Sequence, residues 1–287
     1  MKFIELFAGI GGFRLGLERA GHECVWSNEI NKKAASIYEH NFGDRPDGRD
    51  IRDVNPDDVP SADLLVGGFP CATFSVAGKR TGFGTSDTRG TLFFEICRIL
   101  AGKRIKYVLL ENVKGLLNHD RGRTFAVILS SLDELGYDVQ WECINSKNFG
   151  VPQNRERVFI VGSLRGQPSL KVFPLGRCVA ANGDTGQEAS DEGERVRASY
   201  LPTLDAHYYK GGGTRAVIDE GRPAAGSVSG LRRLTPIECE RLQSFPDNWT
   251  AWYANGQPVG DKERYERCGR AVTVNVIHEI GKKLCQR

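Results

Sequence analysis

Phe3-Ile4-Glu5-Leu6-Phe7-Ala8-Gly9-Ile10-Gly11-Gly12 is the stretch that decides the fold. Phe3–Phe7 reads as a short apolar strand, and Gly11–Ala20 as a helix closed by Gly21. A glycine turn between such a strand and helix brings backbone N–H groups and the helix dipole to a ligand. The dinucleotide fingerprint needs G-x-G-x-x-G, but Gly9-x-Gly11 runs on into Gly12-Phe13-Arg14, so a nicotinamide cofactor is disfavoured. Glu29 ends the next strand, where a carboxylate can accept both hydroxyls of a ribose. Asp50-Ile51 falls at the expected end of a third strand, placed to bond an adenine amine and pack its ring.

The same alternation continues outward. Cys24–Asn28 reads as a strand and 31–41 as a helix. Asp63–Gly67 is an apolar run into a Gly-Gly-Phe-Pro turn, and 91–101 carries Leu92, Phe93, Ile96, Ile99 and Leu100 at helical spacing. Tyr107–Leu110 is a buried strand, Arg123–Leu135 an amphipathic helix, and Val158–Val161 a last strand. Repeated β-α units predict an α/β fold with a doubly wound, mostly parallel sheet, its ligands beyond the carboxyl ends of the strands. The pattern changes near Arg165: residues 180–198 are polar and acidic, and 199–230 mix tyrosines, glycines and cations. Thr235-Pro236-Ile237-Glu238 has the form of a capping box, and core-like sequence returns over 269–284.

Composition narrows the function classes. The 287 residues carry a net charge of only +3, so charge alone does not announce nucleic acid, although Lys79, Arg80 and Arg89 cluster in a glycine-rich stretch and Arg232-Arg233 precede a helix start. Eight cysteines are scattered without a C-x-x-C pair, which excludes the usual zinc site or disulfide framework and fits reduced thiols. No metal is expected. The amino terminus enters a strand directly and no apolar run is long enough to span a membrane, so a cytoplasmic monomer is expected.

Three further segments carry chemistry. Cys71 follows Phe69-Pro70 at the end of an apolar strand. A free cysteine is usually a small buried hydrophobe, but here a loop begins, with glycines at 78, 82, 84 and 90, that could close over a substrate. Glu111 ends another strand on the same sheet edge, and a buried carboxyl group that keeps its proton can donate it. Arg155 and Arg157 alternate along Gln153-Asn154-Arg155-Glu156-Arg157, so they share one face. A thiol, an acid and a cationic pair in this order suit addition of a thiolate to a pyrimidine ring, so that C5 can accept a one-carbon group.

In order and wording, these segments resemble the C5-cytosine DNA methyltransferases, most closely the small bacterial modification enzymes, over residues 1–164 and 231–285. The resemblance implies S-adenosylmethionine held by Phe7, Gly9, Gly11, Glu29, Ile30, Asp50, Ile51, Leu92 and Ala271. It implies attack by Cys71 on C6 of a cytosine flipped out of double-stranded DNA, with Glu111 at N3, Arg155 on O2 and Arg157 as a brace. Residues 1–164 would form the cofactor-binding and catalytic domain, 165–230 a small target-recognition lobe, and 231–287 a return segment. DNA contacts would come from Lys79, Arg80 and Arg89, and from Thr203-Leu204, which matches the Thr-Leu pair of the family's recognition domain. A cognate restriction endonuclease is a possible partner.

Three positions depart from the family pattern: Ala72 replaces a glutamine, Arg270 an asparagine, and the recognition segment is short. Arg270 and Ala72 leave open a cofactor with a larger anionic group, carboxy-S-adenosylmethionine. A tRNA cytosine methyltransferase is the less favoured enzyme alternative, since the Cys-Phe-Thr of that subfamily is missing. A catalytically silent DNA-binding module would need none of Cys71, Glu111 and Arg155.

Overall fold

The computed structural model describes residues 1–70, 92–175, 217–219 and 231–285. Strands β1 (Lys2–Leu6), β2 (Glu23–Asn28), β3 (Leu64–Gly68), β4 (Tyr107–Val113), β5 (Tyr137–Asn145) and β6 (Glu156–Leu164) form a six-stranded sheet in the order β2-β1-β3-β4-β6-β5. The pairs β1–β2, β1–β3 and β3–β4 are parallel, whereas β6 runs against both β4 and β5. A short β7 (Val217–Asp219) pairs with β8 (Leu231–Arg233) apart from this sheet. Five of the six strands therefore point one way, in keeping with the mostly parallel sheet read from the sequence. The order reverses between β1 and β3, which is the switch point where open α/β sheets bind ligands.

The helices are α1 (Gly12–Arg19), α2 (Lys32–Phe42), α3 (Leu92–Lys103), α4 (Arg123–Glu134), α5 (Pro236–Leu242), α6 (Asp261–Arg270) and α7 (Val274–Cys285), of which α1, α3, α4 and α7 pack on the sheet. Side chains alternate along each strand, so the central strands are apolar on both faces. Ile4, Leu6, Leu65, Val108, Leu110 and Ile160 pack with Phe93 and Ile96 of α3 and Ile128 of α4. Phe3, Leu64, Val66, Leu109, Phe159 and Val161 pack with Phe13 and Leu17 of α1 and Ile277 and Ile280 of α7. The chain's last helix thus completes the core begun by its first. The two approach so closely that a Cβ on Gly16 would lie 2.6 Å from the Ile277 Cβ, and one on Gly281 2.7 Å from that of Ala20.

Local signals explain the boundaries. Asn31 caps α2 by accepting from the Lys33 and Ala34 amides, and Gly43 ends it in the left-handed region. Thr235 and Glu238 form the expected capping box of α5. The third strand expected before Asp50 is reduced to a single bridge between Asn28 and Asp47, after which Ile51–Asp53 makes a 3₁₀ turn. Strand β5 was not anticipated. Its Gln140 and Glu142 side chains accept hydrogen bonds from the amides of Val172, Phe173 and Leu175, so the chain after β6 is tied down over one face of this strand. Among the described residues, no helix is long and apolar enough to cross a membrane.

Candidate active site

The parallel strands deliver their loops to one edge. After β1 comes the Phe7–Gly12 turn, after β2 Glu29, after β3 Phe69, and near the end of β4 Glu111 and Asn112. Because β6 is reversed, its amino end lies at this same edge and brings Arg155 and Arg157 to it.

The glycine turn is held in an unusual backbone conformation: Phe7, Gly9 and Gly11 have φ of 57°, 58° and 83°. A Cβ on Gly11 would fall 2.2 Å from the Phe42 ring, so only glycine fits. Glu29 buttresses the turn, with Oε2 accepting from the Gly9 amide at 2.8 Å and Oε1 from the Asn31 amide at 2.7 Å. A Cβ on Gly9 would meet no neighbour nearer than 3.9 Å, so the turn borders open space. Beside it, Ile51 is buried and Ile30 is 58% exposed, giving an apolar lining on the edge. Asp50 caps the 3₁₀ turn through the Arg52 amide and pairs with the Arg52 side chain. A fixed carboxylate, a glycine turn and apolar side chains fit an adenosine-bearing cofactor.

At the other end of the edge, Arg157 Nε lies 3.1 Å from Glu111 Oε1, and both side chains are mostly shielded from solvent. The register opposes Glu111 to Phe159 and Val113 to Arg157, so the pair is diagonal on one face of the sheet. Gly68 leaves room for it: a Cβ there would lie 3.0 Å from Glu111 Oε2. Asn112, buried on the opposite side, donates from Nδ2 to the Phe69 carbonyl at 2.9 Å. It thereby fixes the backbone two residues ahead of Cys71.

Arg155 is 2% exposed and donates from one Nη to the carbonyls of Gly269 (3.2 Å) and Ala271 (2.7 Å). Burial, and then the Arg157 guanidinium, push its pKa down, while Glu111 acts in the opposite direction. Arg155 thus holds the 269–271 backbone while Arg157 lies beside the acid, whereas the sequence reading set Arg155 on O2 and Arg157 as the brace. The reason is the sheet register: Arg155 precedes the paired part of β6 and turns into the molecule toward the 269–271 carbonyls.

The C-5 cytosine-specific DNA methylase family model matches residues 1–176 and 179–286. The chain belongs to this family. The methylase is 40% identical to the Type II methyltransferase M1.ScrFI of Lactococcus lactis subsp. cremoris, over 99% of this chain and 78% of that protein. It is 41% identical to M.NgoBI of Neisseria gonorrhoeae, over 99% and 92%. Its fold is similar to that of the S. pombe Dnmt2 methyltransferase, with a TM-score of 0.75 at 20% identity over 100% of this chain and 98% of the other. It is thus a DNA (cytosine-5-)-methyltransferase of the S-adenosylmethionine-dependent class.

Of the residues anticipated for the cofactor, Phe7, Gly9, Gly11, Glu29, Ile30, Asp50 and Ile51 lie around the glycine turn and the neighbouring strand ends. Leu92 opens α3, and Ala271 lies in the strap between α6 and α7. Arg270 ends α6, 57% exposed and paired with Glu266 at 2.6 Å, so its guanidinium has a partner within its own helix. Cys71, Ala72, Lys79, Arg80, Arg89, Thr203 and Leu204 lie outside the described residues, as does most of the 165–230 lobe. Three contributors were missed. Asn112 follows Glu111 directly, but nothing in the sequence says that its amide crosses to β3. Trp249 donates from its indole N–H to the Ile10 carbonyl at 2.9 Å, and Gln243 sits wholly buried behind the strap. Both come from distant sequence, where only the fold could join them to the glycine turn.

Proposed function

We propose that the methylase acts on a cytosine turned out of duplex DNA, through a covalent bond between Cys71 and C6. The observation that carries this reading is the Glu111–Arg157 pair on the sheet edge where the strand leading to Cys71 ends. In the proposed roles the Cys71 thiolate attacks C6, raising electron density at N3 and O2. Glu111 is the general acid toward N3, and Arg157, the guanidinium beside it, bonds O2. Asn112, through the Phe69 carbonyl, orients the backbone that presents the thiol.

S-adenosylmethionine, when bound, supplies the methyl group. Gly9 and Gly11 offer backbone to its amino-acid end, Glu29 accepts from the ribose hydroxyls, and Asp50, Ile30 and Ile51 hold the adenine. Phe7, Leu92 and Ala271 complete the enclosure. The Arg270–Glu266 ion pair supports methyl, rather than a carboxylate-bearing group, as what is transferred: Arg270 already has an anionic partner. Lys79, Arg80, Arg89 and the 165–230 lobe, with Thr203-Leu204, are assigned to DNA. The Type II character of the relatives supports a modification role beside a restriction endonuclease.

A duplex carrying 5-fluorocytosine tests the reading, because fluorine cannot leave as a proton and the adduct is trapped. Wild-type protein forms a denaturation-resistant complex and Cys71→Ala forms none. A wild-type protein that methylates DNA but traps no adduct would overturn the covalent route. Mass analysis of the nucleosides distinguishes methyl from carboxymethyl.

A further inference from the structure

The strap Gly269–Thr273, running from the last two residues of α6 to the start of α7, forms the back of the glycine turn. A Cβ on Gly12, the first residue of α1, would lie 2.8 Å from Val272 Cγ1 and 3.1 Å from the Val272 carbonyl oxygen. The strap and the turn are therefore in direct contact, and a shift in one displaces the other.

Two side chains from elsewhere hold this strap. Arg155 takes the Gly269 and Ala271 carbonyls. Gln243, at the carboxyl end of α5 and 0% exposed, donates from Nε2 to the Cys268 carbonyl at 3.1 Å and accepts the Thr273 hydroxyl on Oε1 at 2.7 Å. Its own carbonyl accepts from the Val274 amide at 2.9 Å. The one residue thus grips both ends of the strap, just before it and at its last residue. A primary amide suits the place because it offers a donor and an acceptor together. A carboxylate would set charge against the Cys268 carbonyl, and an alkyl chain would leave a buried carbonyl and hydroxyl unsatisfied where no water reaches.

We infer that Gln243 is a positioning residue for the cofactor: it fixes the strap against the glycine turn and so holds the cleft in its binding shape. The inference rests on the proposed place of S-adenosylmethionine at that turn. Gln243 touches no reacting atom, so its loss weakens cofactor binding more than it slows the chemical step at saturation.

The test uses the full-length enzyme and its Gln243→Leu, Gln243→Glu and Thr273→Val variants, with Glu29→Ala as the control for the site. Equilibrium binding of S-adenosylmethionine, KM for S-adenosylmethionine against kcat on duplex DNA, and Tm are measured. Gln243→Leu and Gln243→Glu are expected to raise the cofactor Kd and KM roughly tenfold or more, with kcat within about threefold of wild type. Thr273→Val, close in shape and removing one bond, is expected to give roughly threefold, and it decides the matter should the Gln243 variants not fold. In the Gln243→Leu/Thr273→Val pair the effects should not add, since both remove the same bond. A lowered Tm with unchanged Kd and KM would show Gln243 to be structural only and overturn the inference. Weak binding in Glu29→Ala beside normal binding in the Gln243 and Thr273 variants would overturn it while leaving the cofactor site standing. Normal binding in Glu29→Ala would remove the cofactor site itself, and the inference with it.

Discussion

Arg157 meets Glu111 across an antiparallel pair in a mostly parallel sheet, with Nε 3.1 Å from Oε1. Were β6 parallel to β4, the amino end of β6 would lie at the opposite edge of the sheet, some 20 Å away for strands of this length. The reversal of one strand is what unites an acid from β4 with a cation more than forty residues later in the chain.

The two arginines should separate cleanly. Arg157→Ala removes the group assigned to the pyrimidine and is expected to cost ~10²–10³ in kcat, with a Tm close to wild type. Arg155→Met leaves two buried carbonyls without their donor, each a cost of about 1–3 kcal/mol, so it should lower Tm by several degrees. Steady-state methylation and thermal denaturation of both variants check this. Equal losses of stability would contradict the division.

Asn112→Leu keeps the volume and deletes the bond to the Phe69 carbonyl. The expected result is a kcat lower by roughly 10–100-fold, with slower trapping on a 5-fluorocytosine duplex, because misplacing a reacting group by about 1 Å has effects of that size. Cofactor affinity should stay within about twofold, since Asn112 lies away from the glycine turn; isothermal titration would measure it.

Gly16→Ala probes the closure of the fold by its last helix. The added methyl would sit 2.6 Å from Ile277 and 2.9 Å from the Val274 carbonyl, so α1 and α7 must move apart. A loss of about 1–3 kcal/mol is expected from denaturant unfolding. An unchanged midpoint would mean that the two helices shift without cost.

Glu5 predicts a pH dependence. It is 0% exposed in the middle of β1, beside Tyr38 of α2 and Arg14 of α1, and burial raises its pKa from 4.5 to about 8 despite the opposing pull of Arg14. The folded chain thus keeps a proton that the unfolded chain loses. Stability falls as pH rises from about 4.5 and levels off above about 8, where Glu5 is ionised in both states. The full difference is of order 4–5 kcal/mol at 1.36 kcal/mol per unit. Glu5→Gln should therefore be near neutral at pH 5 and stabilising at pH 8, read from urea unfolding at the two values. A variant less stable than wild type at pH 8 would show that the ionised carboxylate is favourable there.

Much of the molecule was legible in its linear order because the relevant physics is local. Apolar runs and stripes of period 3.6 located most strands and helices, the glycines of Gly9–Gly12 marked the turn, and Thr235 with Glu238 announced a helix start. Spacing brought Glu29 and Glu111 to strand ends, and the family and the cofactor class followed from the resemblance of the glycine-turn, Phe69-Pro70-Cys71, Glu111-Asn112-Val113 and Gln153–Arg157 segments to the C5-cytosine DNA methyltransferases. Strand β5 escaped because Tyr137–Asn145 is an edge strand, half buried and mixed in polarity. The division between Arg155 and Arg157 escaped for a related reason. Two guanidiniums on one face are equivalent until the register of β6 sets one opposite β4 and leaves the other facing the 269–271 carbonyls. The sequence by itself determined which chemical groups the methylase owns and at which loops they emerge. Tertiary structure decided which groups touch, because the contacts of Arg157 with Glu111, Asn112 with Phe69 and Gln243 with Thr273 all span thirty residues or more and exist only once the sheet and its last helix have closed.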